Sequence, residues 1–405
     1  LGFPSLSVTM AGMDKEIRKL FAANFLGNLY FYLPIVALFL LGNGVSLQTL
    51  VFAQLVYSIA LLFLEIPTGI LADRIGHHKS VALGFSADAI GLLVVAIWPT
   101  AAGVITSCLV RSFSGAFLSG SREALLYEYG QKSGRSYKKD CSYLMSYEIL
   151  GFAGGTMAAG VIVQIFGKGS YPWVIVLSSA SVFVACLLAS TLKPHKVEAE
   201  VGQSRLYEFR ESFKLIKTSQ TLRALLIVVG LTCSSKYLLM DLYQPHLEAH
   251  HVLPFFLGSA LSVGALAQYG IIRHAYKIEQ FFGQRLAMIL LAIAAGLAYI
   301  LFGALNNPYL LVASFVVLFG LVEVVNVFIS DYGNQHAPSR IRATVLSSIS
   351  LSRELWKVGY KVAIGLALGV IALPEVFMLY GGFLVIGAGL SYWLLGRASS
   401  PIRAE

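Results

Sequence analysis

TLVFAQLVYSIALLFLEIPTGIL (residues 49–71), ADRIGHHKS (72–80) and VALGFSADAIGLLVVAIW (81–98) follow one another without a gap. The outer two stretches are apolar and close to the roughly 20 residues that one helix needs to cross a bilayer. The middle stretch is short and carries Asp73, Arg74 and Lys79. Two spans joined by a charged turn are the repeating unit of a polytopic membrane protein, and the pattern continues in both directions.

Further apolar runs occupy 20–41, 101–127, 144–166 and 173–192 in the first half of the chain. In the second half they occupy 222–243, 255–272, 286–305, 309–329, 345–371 and 376–395. This predicts an all-α membrane protein of about twelve transmembrane helices. Arg273 cuts into the eighth run, and Arg353, Lys357 and Lys361 interrupt the eleventh. Composition agrees: 57% of the 405 residues are hydrophobic and 13% charged, where a soluble domain carries about 25% charge. Mean hydropathy is +0.73. The net charge of +9 does not suggest nucleic acid, because the basic residues fall between apolar runs.

The connections alternate in charge. One side holds Lys15, Arg18, Lys19, Arg74, Lys79, Lys132, Arg135, Lys138 and Lys139, then a basic linker, then Arg273, Lys277, Arg285, Arg340, Arg342, Arg397 and Arg403. The other side holds Lys168. By the positive-inside rule both termini are expected in the cytoplasm, in a bacterial-type inner (plasma) membrane. Residues 1–12 lack a basic stretch leading to a cleavage site, so no signal peptide is expected and the first span serves as the insertion signal. The expected organisation is a first bundle (1–192), a cytoplasmic linker (193–221) and a second bundle (222–405). In the linker, Leu206, Phe209, Phe213 and Ile216 share one helical face flanked by Arg210, Lys214 and Lys217, which reads as a helix lying on the leaflet.

The halves repeat. Tyr129-Gly130 follows the fourth span and Tyr332-Gly333 the tenth, 203 residues apart, each ahead of a basic loop. Asp73-Arg-Ile-Gly76 after the second span has a counterpart in Glu279-Gln-Phe-Phe-Gly283 after the eighth. Two pseudo-symmetric six-helix bundles across a linker are a transporter signature, with the substrate site near mid-membrane.

The loop Gly69-Ile-Leu71-Ala-Asp73-Arg74-Ile-Gly76-His77-His78-Lys79 resembles the G-x-L-x-D-R-x-G-R-[RK] signature between spans 2 and 3 of the major facilitator superfamily. His77 stands where that family usually has Arg. Glu65-Ile-Pro67-Thr68 fits drug-exporter-like members. Arg111-Ser-Phe-Ser-Gly115 in span 4 resembles an R-x-x-Q-G element of proton-coupled members, with Ser114 for Gln. Gly151, Gly155, Thr156 and Gly160 in span 5 resemble the exporter element G-x-x-x-G-P-x-x-G-G, with Thr156 for Pro and Ala159 for the first glycine of the final pair. The resemblance implies the twelve-helix fold of that family, alternating access by two rocking halves, and a gating loop built on Gly69, Asp73, Arg74 and Gly76. Asp73 at a helix end beside Arg74 would pair with a helix terminus or an Arg of the other half.

Ionic side chains inside a bilayer are costly and face a cavity or a partner. Candidates for the cavity and substrate are Arg111, Lys236, Lys357, Lys361, Asn24, Asn28, Tyr32, Tyr237 and Asn326. Arg353, Lys357 and Lys361 recur every fourth residue and share a helix face. They read either as a basic wall for an anionic solute or as partners of carboxylates such as Glu354 and Glu323. Arg111 reads as a substrate or proton-site residue, or as half of a structural ion pair. Glu148, Asp241 and Glu323 are proton-coupling candidates, because a moving cation can shift a buried carboxylate's affinity for protons. Tyr30 and Tyr243 lie in spans 1 and 7 as stacking or packing residues. His246, Glu248, His250 and His251 read as an exposed loop cluster at the outer end of span 7.

No cofactor or metal is expected. Cys108, Cys141, Cys186 and Cys233 have no metal-ligand spacing. There is no Walker loop and no Ser/His/Asp constellation, so the chain is read as no enzyme and no ATP-driven pump. The expected activity is proton-coupled efflux, by antiport, of a small organic solute, anionic or amphipathic. Uptake of an organic anion or nutrient is the alternative, and a transport-like sensor or membrane enzyme stands further off. The expected partners are the solute, protons and the lipid bilayer, with the chain acting as a monomer.

Overall fold

The computed structural model describes residues 14–133, 137–194, 216–217, 219–232, 235–336 and 342–397. These residues are helical almost throughout, with no strand among them. Span 1 is divided into α1 (Lys15–Gly27) and α2 (Val36–Gly42). Spans 2 and 3 are α3 (Leu47–Ile75) and α4 (His77–Ile97). Span 4 comprises α5 (Ala101–Leu118) and α6 (Ser121–Ser133), span 5 is α7 (Tyr137–Phe166), and span 6 is α8 (Tyr171–Ser190). Span 7 comprises α9 (Gln220–Thr232) and α10 (Ser235–Ala249), and span 8 is α11 (Pro254–Arg273). After the short α12 (Ala275–Phe282) come α13 (Gln284–Ala304) as span 9, and α14 (Pro308–Leu321) with α15 (Val324–His336) as span 10. Spans 11 and 12 are α16 (Arg342–Ala367) and α17 (Leu373–Arg397).

Nine helical stretches among the described residues are long and apolar enough to cross a membrane. The three further predicted spans miss that test for visible reasons. Span 1 is shared between two shorter helices, residues 233 and 234 of span 7 lie outside the described residues, and α16 carries Arg353, Glu354, Lys357 and Lys361. Local chemistry sets several ends. Asp14 accepts a hydrogen bond from Glu16 N at 2.9 Å and caps α1. Thr100 caps α5 through Gly103 N. Asn307 caps α14 through Tyr309 N and Leu310 N, with Pro308 at the first helical position. Gly76 adopts φ +93 between α3 and α4, a left-handed turn that other residues resist.

The chain forms two compact units, Leu1–Gly44 with Ile59–Gly202, and Val45–Ser58 with Gln203–Glu405. Residues 45–58, the first part of span 2, group with the second unit. Gln48 Nε2 donates to the Gly365 carbonyl at 3.1 Å, and Phe52 packs where a Cβ on Gly365 would sit. Of the linker helix only Ile216 and Lys217 lie within the described residues.

Inside each unit the same neighbours recur. Span 3 packs on spans 4 and 6 as span 9 packs on spans 10 and 12, and span 1 packs on spans 5 and 6 as span 7 packs on spans 11 and 12. Glycines allow two of these approaches. A Cβ on Gly296 of α13 would lie 2.8 Å from the Gly381 carbonyl oxygen, and one on Gly381 of α17 would lie 2.5 Å from that of Gly296. In the first unit a Cβ on Gly155 of α7 would lie 2.7 Å from the backbone of Leu29. Small residues that bring backbones together are a principal source of helix affinity in lipid, where burial from water no longer drives it.

The interruptions obey the repeat as well. Span 4 breaks at Ser119–Gly120, where φ of Gly120 is +74, and span 10 breaks at Val322–Glu323. Gly120 and Glu323 are again 203 residues apart.

Candidate transport site

Several of the polar side chains within the spans lie beside these interruptions. In the first unit α1 stops at Gly27, and Asn28 caps it by donating from Nδ2 to the Asn24 carbonyl at 2.8 Å. Asn24 is fully buried. Its Nδ2 donates to Glu148 Oε1 of α7 at 3.0 Å, and its Oδ1 accepts from Arg122 Nη1 of α6 at 2.9 Å. Arg122 Nη1 also reaches Glu148 Oε1 at 2.7 Å. Three segments thus meet in one amide–guanidinium–carboxylate knot, with Arg122 placed two residues after the turn at Gly120.

A second cluster in the same unit centres on Arg111 of α5. Its Nε donates to Asp88 Oδ1 of α4 at 2.7 Å, and its Nη2 donates to the Tyr32 hydroxyl at 2.6 Å. The guanidinium carbon also stands 4.8 Å from the Tyr32 ring centroid. Tyr32 is held from behind, its backbone N–H donating to Ser178 Oγ at 2.8 Å, and Tyr30 meets it edge-on. Gly91 of α4 gives the arginine stem its room, since a Cβ there would lie 2.3 Å from Arg111 Cγ. Arg111 is therefore ion-paired within its own unit.

In the second unit, Lys236 of α10 stands 3.8 Å from Glu323 Oε1 and 5.5 Å from the Phe319 ring centroid. Glu323 Oε2 accepts from Asn326 Nδ2 at 2.7 Å. On α16, Lys357 donates to Glu354 Oε1 at 2.5 Å. Lys361 donates to the Gln54 carbonyl at 3.0 Å and to Ser58 Oγ at 3.1 Å. Asp241 of α10 lines a cavity with Val51, Lys357, Tyr360, Lys361 and Ile364. The three predicted proton-coupling carboxylates have different surroundings: Glu148 in a tight pair, Glu323 in a loose one, Asp241 at a cavity wall with Lys357 and Lys361. The Tyr237 side chain lies outside the described residues.

At the loop, Gly69, Asp73 and Arg74 lie in α3 and Gly76 makes the turn. Asp73 Oδ1 lies 3.5 Å from His77 Nε2, while His77 Nδ1 lies 2.7 Å from Glu128 Oε1 of α6. His77 thus bridges carboxylates from two helices, taking a place that the family resemblance gives to Arg.

One expectation is corrected. His246 is not in an exposed loop: it is buried at 1% exposure, with Nε2 2.8 Å from the Phe302 carbonyl oxygen and its ring against Phe302 and Phe377. Span 7 runs on to Ala249 despite Pro245, which carries His246 into the helix packing. His251, past the helix end, is exposed.

Sequence reasoning missed Asp88, Arg122 and Glu128. Asp88 had a usable signal: it is the one carboxylate in the apolar run 81–98, and lone carboxylates at such a depth need a partner.

Membrane helices in two repeating sets, interrupted at matching positions and carrying paired charges within the spans, define a polytopic transporter rather than an enzyme. The Major Facilitator Superfamily profile matches residues 20–359, and the chain belongs to that family. An uncharacterised MFS-type transporter, YxaM, of Bacillus subtilis (strain 168) is 23% identical over 369 residues, covering 87% of this chain and 89% of that protein. Among solved structures, the nucleoside transporter NupG superposes with a TM-score of 0.78 at 17% identity, over 97% of this chain and 100% of that one. A D-xylose–proton symporter superposes with a TM-score of 0.69 at 11% identity, over 95% and 97%. At these identities the solved structures speak to the fold alone.

Proposed function

We propose that the protein is a proton-coupled secondary transporter of a small organic solute, exposing one set of residues first to one side of the membrane and then to the other. The observation that carries this reading is Asp241. It is a carboxylate inside a membrane helix, set at a cavity wall with Lys357 and Lys361. When the amines turn towards it the anion is favoured, and when they turn away the protonated acid is favoured. Lys361 has a second set of partners in Gln54 and Ser58, so its amine has two places to go. Export is the direction favoured by Glu65-Ile-Pro67-Thr68 and by the glycines of α7 that close on span 1. Uptake by symport is the second reading, favoured by Thr156 standing where the exporter element has Pro.

The test uses the full chain in liposomes with a pH-sensitive dye inside and a panel of small solutes outside. Asp241→Asn is expected to abolish solute-driven proton movement while leaving solute exchange across the membrane within a few-fold of the unaltered protein. Proton movement that survives in Asp241→Asn would remove Asp241 from the coupling. The sign of the pH change gives the direction.

A further inference from the structure

We infer that the transported solute is uncharged and docks by donating a hydrogen bond to Asn326 Oδ1. This deepens the transport reading and rests on it.

Apart from Arg353, the basic residues that point to an anionic solute already have acceptors within their own unit. Arg111 has Asp88 and the Tyr32 hydroxyl. Arg122 has Glu148 and Asn24. Lys236 has Glu323, Lys357 has Glu354, and Lys361 has Gln54 and Ser58 and shares its cavity wall with Asp241. At any of these residues an anionic solute would have to displace a native partner and leave a carboxylate or carbonyl uncompensated in a poorly hydrated site. Exchanging one ion pair for another gains no attraction, and the displaced charge carries a desolvation cost. The same holds for a cationic solute seeking the carboxylates.

Asn326 is different. It is 7% exposed and lies on α15, three residues after the interruption at Glu323. Its Nδ2 is committed to Glu323 Oε2 at 2.7 Å. The orientation is forced, because a carboxylate accepts only and the amide must turn its NH2 towards it. That leaves Oδ1 turned away, buried and without a hydrogen-bond partner. A buried unmet acceptor is costly and calls for a reason. A solute O–H or N–H that completes it is such a reason. The neighbouring Lys236–Glu323 contact, at 3.8 Å, is longer than a hydrogen bond. It can open towards the polar groups of a neutral guest without breaking a tight pair.

The rival anchor is Arg353 of α16, whose Nε is buried without an acceptor. An anionic solute would dock there.

The experiment is thermal stabilisation of the full purified chain by solutes matched in scaffold and differing in charge. Uridine and D-xylose are the neutral probes, uridine 5′-monophosphate and D-glucuronate the anions, and D-glucosamine the cation. Each is then followed as gradient-driven flux in liposomes. Stabilisation by a neutral probe is expected, weakened at least tenfold in apparent affinity by Asn326→Ala and partly restored by Asn326→Gln. Melting of the ligand-free variants checks that they fold. The inference is overturned if the anions stabilise best and lose that effect in Arg353→Gln, if no neutral probe binds, or if Asn326→Ala binds as the unaltered chain does. A neutral solute that binds at Asn326 without gradient-driven movement would sink the transport reading and leave the docking inference standing. Flux of anions alone would do the reverse.

Discussion

Gly381→Leu is expected to be strongly destabilising. The Cβ alone would lie 2.5 Å from the Gly296 carbonyl oxygen and 2.8 Å from Ile300 N, so two backbones of α13 and α17 must part. Gly303 repeats the constraint one end further on, where a Cβ would lie 2.5 Å from the Pro374 carbonyl oxygen. Overpacking of this kind costs on the order of 1–3 kcal/mol in soluble cores. Here the obstacle is backbone rather than a side chain that can swing aside, so the upper end or more is expected. The readout is the melting temperature and the monodisperse yield in detergent. Gly382→Leu, one position along with nothing within 4 Å of its Cβ, is the internal control and should melt close to the unaltered protein. Equal melting of both variants would show that the α13–α17 crossing is not set by these glycines.

Arg111→Ala should abolish transport and also lower stability, and the two effects can be separated. Removing the guanidinium leaves Asp88, at 9% exposure, without its partner, and breaking a buried pair from one side costs about 3–5 kcal/mol. The double variant Arg111→Leu with Asp88→Leu removes both charges and should recover most of the melting temperature. Flux in the double variant should stay at least about a hundredfold down if the pair takes part in the transport cycle, a loss of the order that the same barrier change implies. Recovery of flux together with stability would reduce Arg111 to a structural ion pair. Arg111→Lys keeps the charge and loses the fork that reaches Asp88 and Tyr32 together, and should fall between.

The span pattern was legible because a bilayer imposes one rule on every segment: apolar length inside, basic residues in the connections on one side. Spans 2, 3, 9 and 12 satisfy it in full. The interruption of span 1 after Gly27 had one signal that was passed over, Pro34 inside an otherwise apolar and aromatic run, since a proline breaks or kinks a helix. Which charges lie near depth could be read from position alone, and Arg111, Lys236, Asp241, Glu323 and Lys357 were found that way. Their partners were not, since pairing joins residues far apart in sequence: Arg111 to Asp88, Lys361 to Gln54, Arg122 to Asn24. Lys357 was the exception, because Glu354 lies three residues away on the same helix. His246 was misplaced because Pro245 looks like an end to span 7, whereas the helix continues through it.

The breaks at Ser119–Gly120 and Val322–Glu323 have a use that needs no knowledge of the cargo. Amide hydrogens in an unbroken lipid-facing helix trade with deuterium slowly, being locked to carbonyls and remote from solvent. A peptide bond at a break loosens that lock, so its labelling speed reports when water arrives beside it. Pulse labelling at alkaline and acid pH would then time the wetting of two clocks built into the chain 203 residues apart.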